Sequence, residues 1–173
     1  MAMKATLVSV DEYLHSSYDP DCDYVDGELV ERNVGERYHS ELQGAIHSYY
    51  YVRRRSWRVY PYVEQRIRIS AARYRVPDIC LVAGHPTEQI FTTPPLAVFE
   101  VLSPEDRKNR TKSRIDDYLS IGVRHIWAIN PKTRDVEAHT PKGVRVIDDG
   151  VLRTANPDTE LRLSEIFDEI EAA

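Results

Sequence analysis

The sequence has little cysteine and no long apolar run. Its two cysteines, Cys22 and Cys80, stand far apart, and neither belongs to a C-x-x-C pair or a Cys/His cluster, which argues against structural zinc and against a disulfide framework. No apolar stretch approaches the roughly 18 residues of a membrane-spanning helix. Residues 1–10 also lack the apolar core of a secretory signal. These absences predict a cytoplasmic protein that does not enter the membrane.

The chain also lacks a net positive charge. Its 23 basic and 28 acidic residues give a formal charge of −5, which taken alone disfavours nucleic acid as a partner. The distribution of charge matters more than its sum, however. Basic residues concentrate at residues 53–58 and 107–114. Each run alone is typical of a solvated face, so its position in the fold decides its meaning.

Helical and strand patterns alternate along the 173 residues, a length that suits one domain. Apolar residues at helical spacing predict helices over residues 8–16, 36–53, 111–121 and 164–170. The Asp26-Gly27 pair predicts a tight hairpin turn. Strands are predicted over residues 57–70, 74–82, 96–102 and 125–129, with shorter strands after residue 136. This order predicts a single α/β domain over residues 1–173, with a central mixed β-sheet flanked by helices.

Two carboxylates stand out because they lie inside apolar strands. Asp78 follows Pro77, which cannot donate to a sheet ladder and turns Asp78 out of regular pairing. Glu100 lies within the strand predicted over residues 96–102. Neighbouring strands can bring both acids to one spot, where each raises the pKa of the other until a cation neutralises them. Hard oxygen ligands of this kind suit Mg²⁺ or Mn²⁺; salt-bridged, half-exposed acids are the alternative.

Several motifs, taken together and in order, resemble the Uma family of restriction-endonuclease-like proteins. They are Tyr24-Val25-Asp26-Gly27-Glu28-Leu29-Val30, Val76-Pro77-Asp78, Glu100-Val101-Leu102-Ser103-Pro104 and Gly122-Val123-Arg124-His125-Ile126-Trp127 followed by Asn130-Pro131. The resemblance runs from residue 9 to residue 131 and more weakly to the last helix. It implies a restriction-endonuclease-like core of the PD-(D/E)XK type, with a metal site at the ends of the central strands.

The resemblance also implies roles for individual residues. Asp78 and Glu100 correspond to the acids of the family motif, which hold the metal. The peptide carbonyl of Val101 is implied as a further ligand. Glu28, which follows the hairpin turn, is a candidate for an extra acidic ligand, and a surface hairpin residue is the alternative.

The basic residue of the family pattern, a lysine on the helix after Glu100, corresponds to Arg114. Lys112 is the alternative, and only one of them can readily reach the acids because they flank opposite edges of the apolar stripe. An arginine supplies charge but no base. The sequence thus predicts a metal-dependent endonuclease or phosphodiesterase acting on nucleic acid. The alternative, favoured by arginine at position 114, is a catalytically inactive nuclease-fold module that binds nucleic acid or a protein partner.

Further residues extend this prediction to the substrate. Arg107, Lys108 and Arg110 lie just before the same helix and are candidates for holding substrate phosphates. DNA is favoured over RNA, and no membrane partner is expected. The 11 tyrosines are typical of a core, and they also suit base stacking or a homodimer surface. His39, on the first long helix, is a candidate to approach the site, and a helix-surface histidine is the favoured interpretation.

Overall fold

The structure is a computed structural model that describes residues 7–32, 36–103 and 108–171, with only the backbone of Lys108. Its helices are α1 (Val10–His15), α2 (Arg37–Trp57), α3 (Lys108–Ser120) and α4 (Leu163–Glu171). Its strands are β1 (Cys22–Val25), β2 (Glu28–Glu31), β3 (Val59–Val63), β4 (Ile67–Ser70), β5 (Arg73–Arg75), β6 (Ile79–Ala83), β7 (Ala97–Val101), β8 (His125–Ile129), β9 (Val136–Thr140), β10 (Gly143–Val146), β11 (Val151–Thr154) and β12 (Thr159–Arg162). Across these described ranges, no helix combines the length and the apolar character needed to cross a membrane.

Six strands form the central sheet in the order β10-β9-β8-β7-β6-β3. Neighbours β7 and β8 are parallel, and the other neighbouring pairs are antiparallel. Parallel neighbours require a crossover connection, which α3 supplies. Helices α2 and α4 cover one face of the sheet and α3 covers the other. The predicted mixed sheet flanked by helices is confirmed.

Strand β7 is buried on both faces, and its side chains alternate between them. Phe99 and Val101 pack in the core beneath α2 and α4. Val98 packs with Ile115 beneath α3. Because successive side chains of a strand point to opposite faces, Glu100 points to the α3 face together with Val98.

Two of the predicted strands are each divided between two sheets. The strand predicted over residues 57–70 becomes β3 and β4, and the strand predicted over 74–82 becomes β5 and β6. The first break falls at Glu64, which has a φ of +49°. The second falls at Val76-Pro77, where proline cannot continue the ladder. The separated strands β4 and β5 join the hairpin in a second sheet of order β2-β1-β5-β4, which the sequence did not predict.

Arg75 ties the second sheet to α3. Its guanidinium donates from Nε to Asp117 at 2.7 Å, from Nη1 to Asp23 at 2.9 Å and from Nη2 to the hydroxyl of Ser113 at 3.0 Å. Asp23 also accepts from the backbone amide of Val76 at 2.8 Å. The side chain of Arg75 is 4% exposed. This buried network fixes the hairpin and β5 against α3, just before the chain enters β6.

Replacing Arg75 tests that network. We expect Arg75→Met to lower the free energy of unfolding by about 3–5 kcal/mol, because it leaves the buried carboxylate of Asp23 without its cation and Asp117 with Arg73 alone. Urea denaturation measures the loss. Arg68→Met on the neighbouring strand is the control. The side chain of Arg68 is exposed and, among the described contacts, bonds only the carbonyl of Ser70 on its own strand, so a change below about 0.5 kcal/mol is expected. Equal losses in the two variants would contradict the role of Arg75.

Candidate functional site

Asp78 and Glu100 face each other across β6 and β7. The antiparallel register pairs Ile79 with Phe99 and Cys80 with Val98. Continued by one residue, this register sets Asp78 opposite Glu100. Cys80 packs with Val98 beneath α3, and alternation along the strand therefore directs Asp78 to the same face as Glu100. The amide of Val101 donates to Asp78 Oδ2 at 2.7 Å, which brings the two acids side by side.

Asp78 is 2% exposed and is held by groups from the hairpin and from α2. Arg32, directly after β2, donates from Nη2 to Asp78 Oδ1. His39 Nε2 lies 3.4 Å from Asp78 Oδ2. One helical turn further along α2, Gln43 donates from Nε2 to the backbone carbonyl of Asp78 at 3.0 Å. Both the side chain and the backbone of Asp78 are thereby fixed.

Glu100 is fully buried and is held by two residues one turn apart on α3. The hydroxyl of Tyr118 donates to Glu100 Oε1 at 2.7 Å. Arg114 Nη2 lies 2.8 Å from Glu100 Oε2. Within the described part of the chain this oxygen accepts no hydrogen bond, so its contact with Arg114 is an ion pair without hydrogen-bond alignment.

The environment separates the pKa values of the two acids. Burial by itself raises the pKa of Asp78, but the hydrogen bond from His39 and the charge of Arg32 hold it below its ordinary value. Burial also raises the pKa of Glu100 to about 7, and the charge of Asp78 adds to this rise while Arg114 opposes it. Burial and the neighbouring Glu100 raise the pKa of Tyr118, which stays a hydrogen-bond donor. One acid is therefore a stable anion, whereas the other changes its charge near neutral pH.

The pair fits a divalent cation with oxygen ligands. Mg²⁺ is commonly held by one or two carboxylates, with waters and substrate phosphate oxygens as its other ligands. Asp78 and Glu100 supply two carboxylates, and the buried Glu100 Oε2 lacks a hydrogen-bond donor among the described residues. No cluster of three or more His, Cys, Asp or Glu side chains suited to a metal occurs in the described ranges.

Two of the residues predicted for this site lie away from it. Lys112 is on the outer surface of α3, where its side chain is 72% exposed and pairs with Asp116. Glu28 is exposed at the turn end of β2, opposite Val25, whereas Arg32 at the other end of that strand contacts Asp78. Of the two basic candidates on α3, Arg114 lies beside Glu100, whereas Lys112 pairs with Asp116 on the outer surface.

The predicted phosphate-binding residues fall only partly within the described chain. Arg110 is exposed on the first turn of α3 and lines a cavity of about 340 Å³ between the hairpin and α3. Arg32, Arg75 and Arg114 line the same cavity. Arg107 and the side chain of Lys108 lie outside the described residues.

Sequence reasoning missed the contacts of Arg32 and Gln43 with Asp78, and it favoured a surface position for His39 over a place in the site. His39 is not a surface histidine, since its side chain is 14% exposed and points at the carboxylate. The sequence did contain an indication of this position, since His39 and Gln43 stand one helical turn apart on α2 and place two polar side chains on the same face of the helix. Arg32 gave no such signal, because it lies between Glu31 and Asn33 in a polar stretch that reads as a loop.

The fold and the carboxylate pair define a restriction-endonuclease-like protein. The crystal structure of a "putative nuclease" from Anabaena variabilis ATCC 29413 matches this fold with a TM-score of 0.77 and 20% sequence identity, over 93% of this chain and 98% of that chain. The chain belongs to the Uma2 family, described as "putative restriction endonuclease", whose model matches residues 10–173. No curated protein is significantly similar to the chain.

The raised pKa of Glu100 is testable in the metal-free protein. We expect one glutamate carboxyl to titrate near pH 7 by ¹³C NMR and to be missing in Glu100→Gln. The folded pKa exceeds the unfolded value of about 4.3, so Glu100 supports the fold best in acid and this support is lost as the pH rises to 7. Relative to the parent, Glu100→Gln should therefore gain stability between pH 5 and pH 8. A glutamate spectrum without any titration above pH 6 would refute the assignment.

Proposed function

We propose that the chain hydrolyses phosphodiester bonds of nucleic acid in a reaction that depends on Mg²⁺ or Mn²⁺. The observation that carries the proposal is the in-register pair of buried acids, Asp78 and Glu100, on one face of two adjacent strands. Membership of a family described as "putative restriction endonuclease" supports nucleic acid as the substrate. DNA is the substrate to test before RNA.

In this proposal Asp78 and Glu100 hold the metal, and the carbonyl of Val101 is a further ligand. The metal would lower the pKa of a bound water and neutralise the charge that develops on the phosphate. Tyr118 orients Glu100 through its 2.7 Å hydrogen bond. His39 holds the second oxygen of Asp78, opposite the side that Arg32 contacts.

Arg114 supplies positive charge beside Glu100. Burial alone would lower the pKa of its guanidinium, but the charge of Glu100 raises it overall, so Arg114 stays protonated. It therefore contributes electrostatic stabilisation and not proton transfer. Arg110 on the same helix, with Arg107 and Lys108, is proposed to contact substrate phosphates.

A second candidate function is a catalytically inactive module that binds nucleic acid or a protein partner. Two observations favour it: arginine stands at position 114, and both acids are already paired with arginines. In this reading the acids and arginines are a structural network. Metal binding and cleavage distinguish the two functions.

Metal binding and cleavage in acid variants test the proposal. We expect the parent to bind Mn²⁺ and Mg²⁺ by calorimetry and to cleave DNA only when metal is present. Asp78→Asn and Glu100→Gln keep the size of each side chain but remove its charge. Each should abolish measurable metal binding and lower cleavage by about 100-fold or more. Cleavage of single-stranded and double-stranded DNA and RNA is measured in separate reactions, so that the result identifies the class of substrate.

The two basic residues of α3 give a matched comparison. Arg114→Ala should lower cleavage because it removes the charge beside Glu100, whereas Lys112→Ala should leave it unchanged because Lys112 is on the outer surface. Cleavage that survives in both acid variants would refute the proposed site. Metal binding that depends on both acids, without cleavage of any substrate, would favour the inactive module.

A further inference from the structure

We propose that the cavity between the hairpin and α3 binds a backbone phosphate of nucleic acid, and that Arg32 is its principal donor. The inference deepens the proposed function and depends on it for the identity of the substrate. Arg32 has no part in the sequence motifs that point to a nuclease. Its role is inferred from its burial, its unpaired donor and its contact with Asp78.

Arg32 lines the cavity, and its side chain carries a buried donor without a partner among the described residues. Its side chain is only 10% exposed, and its Nε has no hydrogen-bond partner among the residues that the structure describes. A buried donor left unpaired costs free energy comparable to a lost hydrogen bond. Arg114, 12% exposed, presents a second unpaired Nε within the same described set and lines the same cavity. Two guanidinium donors in one concave site suit the oxygens of a phosphate.

The other charged residues of the cavity do not offer the same donors. Arg75 uses Nε and both terminal nitrogens on Asp117, Asp23 and Ser113. Asp23 is likewise engaged, because it accepts from Arg75 and from the amide of Val76. Arg110 is exposed at the rim. Among the described charged side chains that line the cavity, Arg32 and Arg114 are therefore the two with a buried donor left unpaired.

Charge balance links this cavity to the carboxylate pair. Arg32 and Arg114 neutralise Asp78 and Glu100 in the structure. The two guanidiniums lose that counter-charge whenever a divalent cation is held by the acids. The two acids, the two arginines and the cation then sum to two positive charges, and the single negative charge of a backbone phosphate offsets half of this excess. Arg32 therefore opposes the cation when substrate is absent and binds the phosphate when substrate is present.

A variant of Arg32 should change metal and DNA binding in opposite directions. The binding of a fluorescein-labelled DNA duplex is measured by anisotropy in the presence of Ca²⁺, which takes the same oxygen ligands as Mg²⁺. Arg32→Gln should weaken duplex binding by about 10-fold or more. The plot of log affinity against log salt concentration should become less steep, by the amount that about one phosphate contact contributes. In calorimetry without DNA, the same variant should bind Mn²⁺ about 10-fold more tightly, because a competing cation is gone.

Arg162→Gln is the matched control, since Arg162 is 62% exposed on β12 and does not line the cavity. It should change neither measurement. Arg32→Lys keeps the positive charge but removes the Nε donor. If Arg32→Gln does not fold, Arg32→Lys is measured in its place. It should weaken duplex binding while its Mn²⁺ affinity stays close to that of the parent.

The outcomes separate this inference from the proposed hydrolysis. Duplex binding that depends on Arg32 in a protein that binds no metal would support the phosphate site and refute the hydrolase. Metal-dependent cleavage with unchanged duplex binding in Arg32→Gln would refute the phosphate site and leave the hydrolase standing. Weakening of both metal and duplex binding would assign Arg32 a structural role and overturn the inference. Arg32-dependent binding of inorganic phosphate without duplex binding would overturn it as well.

Discussion

The site depends on two acids that meet across β6 and β7 in a buried position. Two like charges in an environment of low dielectric repel each other and lose their hydration. The chain meets this cost with cations from two separate elements, Arg32 after the hairpin and Arg114 on α3. The compensation is unequal, because the pKa of Asp78 is lowered whereas that of Glu100 is raised. The pair is therefore stable without a metal, yet it keeps one buried oxygen with no hydrogen-bond donor among the described residues.

This compensation explains the second sheet. Arg32 reaches Asp78 only if the hairpin is held next to the start of β6, and α3 must stand over the same point to deliver Arg114. Arg75 meets both needs, since it bonds Asp23 on β1 and Asp117 on α3. The break at Pro77 then moves the chain from the second sheet into the central one. The structural network around Arg75 and the functional pair are thus adjacent but distinct, and their variants should have different effects.

The sequence predicted the parts of the site whose signals are local. Asp78 and Glu100 were recognisable because acids inside apolar strands need a partner, and the family motifs gave them an order. The division of two strands between sheets was missed because strand-like alternation continues past Glu64, whose left-handed backbone is not visible in that pattern. Arg32 was missed for another reason: its partner is 46 positions away, and nothing near it in sequence indicates a buried ion pair. An ion pair between residues that are far apart in the chain produces no periodic pattern in the sequence.

Arginine at position 114 changes what α3 can contribute. A lysine there would present a compact ammonium that can lose its proton when buried, whereas the guanidinium keeps its charge and has donors on more than one edge. Arg114 pairs with Glu100 through Nη2, and its buried Nε has no hydrogen-bond partner among the described residues. Compared with such a lysine, Arg114 offers no base but has a further donor that suits an anion. Taken with Arg32, it makes the same two residues neutralise the acids before binding and receive phosphate afterwards, which couples the occupancy of the acids to that of the cavity.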